Sequence, residues 1–211
     1  MKNYLTEMIG TFFLVLTVGL CVLSGTDFAP LAIGSSLMIM VYMGGHVSGG
    51  HYNPAVSLAV MMRGKLDSKQ LLPYWVSQLV GAFLAAVAVK LILGSTFAPA
   101  PAADASTLAI LLVEFLFTFA LCLVVLNTAT ATATDGNSYY GLAIGFTVVV
   151  GAFAGGGVSG GAFNPAVGTG PILMNAIAGG GSLGNLWYYL VGPLLGGAAA
   201  AAVFKIQNPN D

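Results

Sequence analysis

Polar positions along this chain never accumulate into the repeating face that a soluble helix or strand would show to water. Apolar runs of about twenty residues recur six times, over roughly 4–24, 30–47, 70–93, 107–127, 139–156 and 185–206. A helix of that length spans the ~30 Å hydrocarbon core of a bilayer, so each run predicts a membrane-crossing helix. Two further apolar stretches, 53–62 and 164–175, are too short to cross. A ten-residue helix is about 15 Å long, and two meeting end to end would make one crossing. The expected fold is an all-α membrane protein of six transmembrane helices plus two re-entrant half-helices.

Composition agrees. Of 211 residues, 57% are apolar and 6% charged, with a mean hydropathy of +0.91. Soluble domains carry about 25% charged residues, so the solvent for most of this surface is lipid. A net charge of −1 leaves no footprint for nucleic acid. Cys21 and Cys122 lie inside apolar runs with no second ligand nearby, which reads as core packing rather than metal or disulfide chemistry. No nucleophile–base set, metal cluster or phosphate loop is visible, so neither an enzyme nor a bound cofactor is expected. The apolar run Met8–Leu23 follows Lys2 as in a signal peptide, but it is too long and carries Glu7. It is read as a retained first span.

Lys2, Arg63, Lys65, Lys69 and Lys205 fall on one side if the spans alternate, and Lys90 towards the other. This bias predicts cytoplasmic termini, with loop 63–69 inside and loop 94–106 outside. Tyr4, Tyr74, Trp75, Tyr139, Tyr140, Trp187, Tyr188 and Tyr189 cluster at span ends, where an interfacial belt is expected. Gly141-x-x-x-Gly145 and Gly192-x-x-x-Gly196 permit close helix approach.

The strongest signal is a repeat. Ser48–Val56 (SGGHYNPAV) returns as Ser159–Val167 (SGGAFNPAV), 111 positions later. Three spans per half put the copies in opposite orientations, the inverted arrangement in which sites fall near the midplane. The halves are about 1–93 and 107–211 of a single domain, 1–211. Asn53 and Asn164 are N-caps, and Pro54 and Pro165, followed by Ala55 and Ala166, are preorganised first-turn residues. The preceding Ser-Gly-Gly segments are non-helical backbone, which membrane depth tolerates only inside protein or beside a watery cavity. Their unpaired carbonyls would then face water. Glu7 and Glu114 open the first span of each half; without cationic partners they are expected to anchor the re-entrant loops, a proton relay being the other reading. His51 is expected in the cytoplasmic vestibule. A metal role is disfavoured because the second copy has Ala162.

With its duplicated SGGxxNPAV, six spans and paired glutamates, the chain resembles the aquaporin (major intrinsic protein) family over its whole length. The resemblance implies half-helices meeting at mid-membrane, with the two asparagine amides donating to each passing water and loop carbonyls accepting. The converging positive dipole ends would disfavour cations and proton hopping, as described for pores of this type. It also implies a homotetramer with one pore per subunit. The family's outer constriction falls, by spacing, on Ile33, Ala152, Gly161 and Val167. Water-selective members usually have an aromatic residue first, often His second and Arg last, none of which is present. The pattern is more similar to plant tonoplast aquaporins, some of which have Val last. A wider, apolar filter would pass water and also small neutral solutes such as ammonia, hydrogen peroxide, urea or glycerol, although the Asp that glycerol facilitators place after their Arg is missing. Short tails fit a prokaryotic inner membrane. A coupled secondary transporter, or a sealed scaffold, would be the other classes.

Overall fold

The computed structural model describes all 211 residues, from Met1 to Asp211. It is helical throughout, in the order α1 (Lys2–Ser24), α2 (Ala29–Ser48), α3 (Pro54–Met62), α4 (Ser68–Leu93), α5 (Thr107–Val125), α6 (Tyr140–Ser159), α7 (Pro165–Ala178) and α8 (Leu186–Gln207). Six of these are long and apolar enough to cross a membrane. α3 and α7 are the two short ones.

Three boundaries run past the expected ones, α6 among them, which ends at Ser159 rather than at 156. α5 runs on as a π-helical turn, Leu126–Thr130. There Asn127, Thr128 and Thr130 bond the carbonyls of Leu123, Val124 and Leu126, four residues back, and such bonding competes with regular backbone pairing. α7 continues past 175 to Ala178, whose carbonyl accepts from Lys90 Nζ at 3.1 Å. A cation there also suits the negative end of the helix.

α1 packs on α4, α5 on α8, and α2 on α6. The half-helices cross over: α3 lies mainly against α8 and α7 mainly against α4. Each therefore seats on the last span of the other half. Glycines make these approaches close. A side chain at Gly145 would strike Met38 Cβ at 2.6 Å, and one at Gly196 would strike Phe119 N at 2.9 Å. Gly141 and Gly192 are similarly filled, by the Tyr42 ring and Glu114 Cβ. Both Gly pairs read in the sequence thus serve helix packing.

The aromatic belt needs one correction. Tyr139 and Trp187 are exposed, but Tyr74 and Tyr189 are 1% and 0% exposed. Their hydroxyls are committed to the re-entrant loops instead: Tyr74 donates to Ser48 O at 2.7 Å and Tyr189 to Ser159 O at 2.6 Å. Trp75 is also turned inward, donating its indole N–H to Pro54 O.

A candidate pore and its waist

The two loops that precede α3 and α7 follow the same backbone path. Gly49, Gly50 and Tyr52 have φ of 92°, 64° and 50°, and Gly160, Gly161 and Phe163 have 88°, 65° and 49°. Glycine takes positive φ freely, but Tyr52 and Phe163 do not, at roughly 1–2 kcal/mol each. The surroundings hold them there. Tyr52 N donates to Glu7 Oε2 and Phe163 N to Glu114 Oε2, both at 2.7 Å. His51 N and Ser48 Oγ donate to Glu7 Oε1, while Ala162 N and Ser159 Oγ donate to Glu114 Oε1. Glu7 takes a fourth hydrogen bond, from Gln78 Nε2 at 2.8 Å. Four donors thus converge on the Glu7 carboxyl. Both glutamates are 0% exposed.

This path leaves a row of carbonyls unpaired. Ser48 O and Ser159 O are taken by the two tyrosines, contrary to the expectation that they stay open. The oxygens of Gly49, Gly50 and His51, and of Gly160, Gly161 and Ala162, accept nothing from the protein.

The half-helix tips then meet. Asn53 Oδ1 accepts from Ala55 N and Asn164 Oδ1 from Ala166 N, both at 2.9 Å, which are ordinary N-caps. The amide nitrogens cross over: Asn53 Nδ2 donates to Phe163 O and Asn164 Nδ2 to Tyr52 O, again at 2.9 Å. An amide has two N–H groups, so one on each asparagine remains uncommitted.

That waist opens into a narrow cavity of about 170 Å³, lined by Asn53, Asn164, Ile33, Ala152, Gly161 and Val167 among others. The four residues picked out by spacing therefore do share one lumen. Pro54, Ala55, Pro165 and Ala166 are buried behind the tips. The lining holds no Lys, Arg, Asp or Glu; one wall is aliphatic and the other is the two loops. A wider space of about 770 Å³ lies towards Lys65, and His51 and Val125 line both spaces. His51, 6% exposed, therefore sits at their junction.

Gln78, Ser57, Tyr74 and Tyr189 were not picked out as site residues from the sequence. Gln78 had a signal, being a lone amide inside a strongly apolar span. The tyrosines had none that separates them from belt residues.

An all-helical membrane bundle with two half-helices meeting beside a lumen defines a membrane channel. The Major intrinsic protein family model matches residues 1–204, and the chain belongs to that family. It is 33% identical to the glycerol uptake facilitator protein-like 6 of Lactiplantibacillus plantarum, with all of both chains covered. It is 32% identical to aquaporin Z of Rhodopseudomonas palustris, over 99% of this chain and 94% of that one. Among solved structures, the aquaglyceroporin of Plasmodium falciparum superposes with a TM-score of 0.87 at 21% identity, covering 99% of this chain and 97% of its own.

Proposed function

We propose that this protein is a passive channel for water and small neutral solutes, with Asn53 and Asn164 as its central donors. The carrying observation is the pair of uncommitted amide N–H groups beside unpaired loop carbonyls, those of Gly50, His51, Gly160, Gly161 and Ala162, in a cavity whose lining has no fixed charge. A water at the waist accepts from both amides, so its own hydrogens must point away, towards carbonyls on either side. That orientation breaks a proton-conducting hydrogen-bond wire, and the N-termini of α3 and α7 add partial positive charge at the same point.

Ile33, Ala152, Gly161 and Val167 form the filter. Without a cation or an aromatic ring it is permissive, which suits ammonia, urea, hydrogen peroxide or glycerol as well as water. Names among the relatives, an aquaporin and a glycerol uptake facilitator, support both kinds of cargo. Glu7 and Glu114 are the loop anchors, and their sequestration from the lumen removes the ion site that a coupled transporter would need. The protein works as a homotetramer in the cell membrane, as the family resemblance implies, with both termini cytoplasmic by the positive-inside bias.

Stopped-flow light scattering of proteoliposomes, challenged with water, glycerol, urea and ammonia gradients, tests this. Flux is expected to rise linearly with gradient and to ignore voltage and pH difference. Saturation, or uptake driven by a proton gradient, would overturn the channel reading.

A further inference from the structure

The first loop carries a polar relay that the second lacks. Gln78 Nε2 donates both to Glu7 Oε2 at 2.8 Å and to Ser57 Oγ at 2.9 Å, and Ser57 Oγ lies 3.0 Å from His51 Nδ1. The matching positions on the other side are Pro193, Gly168 and Ala162, so nothing equivalent can form there.

The hydrogens in this relay follow from its fixed end. Glu7 already accepts from three other donors, and the Gln78 amide presents its NH2 group to the same carboxyl. The opposite amide orientation would set the Gln78 carbonyl against the Glu7 oxygen and leave two N–H groups unpaired, a larger loss than the single buried Oε1 that has no partner here. The same NH2 then donates to Ser57, which is 0% exposed and has no partner other than Gln78 and His51. Its hydroxyl hydrogen has one acceptor in reach, His51 Nδ1. A neutral imidazole that accepts at Nδ1 carries its proton on Nε2. That Nε2 has no protein partner, yet it is not among the sealed polar atoms, and the ring borders both water spaces.

Resting on the channel reading, we infer that Ser57 is a positioning residue: it locks His51 in the Nε2–H tautomer, so that the ring is a fixed hydrogen-bond donor to solute at the inner end of the lumen. The lumen is thereby polarised. Its Lys65 side has a side-chain donor facing solute, and the matching place on the other side has the Ala162 methyl. Gly49 belongs to the device, because a Cβ there would lie 2.9 Å from His51 Nε2.

The test is nitrogen-15 NMR of histidine-labelled full-length protein in lipid bilayers near neutral pH, with His46→Gln to assign the second histidine. The expected wild-type spectrum shows a protonated Nε2 and a bare Nδ1 on His51, in a ratio of about 10:1 or more over the other tautomer, the scale of one buried hydrogen bond. Ser57→Ala should give a mixture of tautomers, Gln78→Leu should do the same by freeing the serine hydroxyl, and Ser57→Thr should restore the single form. In proteoliposomes His51→Ala should raise the urea-to-water permeability ratio severalfold, with Ser57→Ala between it and wild type and Ser57→Thr at wild type. A protonated Nδ1 in the wild type, or an unchanged tautomer in Ser57→Ala, would overturn the inference. The spectra read the ring whether or not the pore conducts, so failure of the channel reading would show separately, in the wild-type flux.

Discussion

Val167 faces the lumen beside Gly161, at the position where the resemblance leads one to expect arginine. It is 6% exposed, so a longer side chain there can only extend into the passage. Val167→Arg should narrow the filter and add a fixed positive charge, cutting urea and hydrogen peroxide uptake about tenfold or more while water flux stays within a fewfold; unchanged urea uptake in vesicles would refute the placement of the filter. The glutamates predict an unequal pair. Glu7→Gln turns an NH2 towards a site where four donors converge, whereas at Glu114 three do. Each donor left unpaired costs roughly 1–3 kcal/mol. Both variants should therefore melt at lower temperature than wild type in detergent, with Glu7→Gln the lower of the two. The asparagines and glutamates were legible in the sequence because each is a polar residue duplicated inside apolar runs. Ser57 was not, and Gln78 only as an amide in an apolar span, because the repeat does not duplicate them and their partners Glu7 and His51 come from α1 and the first loop.

Helix packing here is set by what glycine omits. Gly145 of α6 meets the Gly34 carbonyl of α2, and close approach of this kind replaces the hydrophobic drive that lipid removes. Gly156, in the last turn of the same helix, faces open space, with nothing within 4 Å of a would-be side chain, and lines the lumen. The two positions should respond in opposite ways. Gly145→Leu overpacks α2 against α6, at roughly 1–3 kcal/mol or more, and should lower the melting temperature; Gly156→Leu should leave melting near wild type and block glycerol flux. Equal melting shifts in the two variants would contradict the packing. Span number and half-helix starts were readable beforehand, since length, hydropathy and Asn-Pro capping are local properties. The crossing of α3 onto α8 and of α7 onto α4 was not, since it depends on contacts between residues remote in the chain, such as Lys90 and Ala178, 88 positions apart. The inward turn of Tyr74 and Tyr189 was hidden for a related reason: span-end position predicts a belt, and only the loop carbonyl above each ring overrides it.

Across the whole molecule, the end bearing Lys65 is tied together by groups from three remote segments. Arg63, at the end of α3, donates to Thr130 O and to Asp211 Oδ1, the latter at 2.8 Å, and lies 4.8 Å over the Phe204 ring. Asp211 in turn accepts from the backbone and hydroxyl of Thr132. The Asp211 carboxyl is held below its ordinary value, first by the Thr132 backbone N–H, then by the Thr132 hydroxyl, with Arg63 contributing. A depressed carboxyl value means that the tie is present above the unfolded value of about 3.9 and is lost as pH falls through the folded one. This tie therefore adds no pH dependence to permeability between pH 5 and 8, and Asp211→Asn should leave the flux–pH profile in that range unchanged. The same cluster bears on orientation. Arg63 and Lys65 lie in the short connection between α3 and α4 and Lys69 in the first turn of α4, whereas Lys90 lies near the other end of α4, beside Ala178. Single cysteines at Lys65 and at Ala103, in a Cys21→Ala, Cys122→Ala background, should therefore label from opposite sides. A membrane-impermeant maleimide added to intact cells should reach Ala103→Cys at once and Lys65→Cys only after the membrane is opened. The reverse order would place the positive end outside and refute the topology drawn from charge.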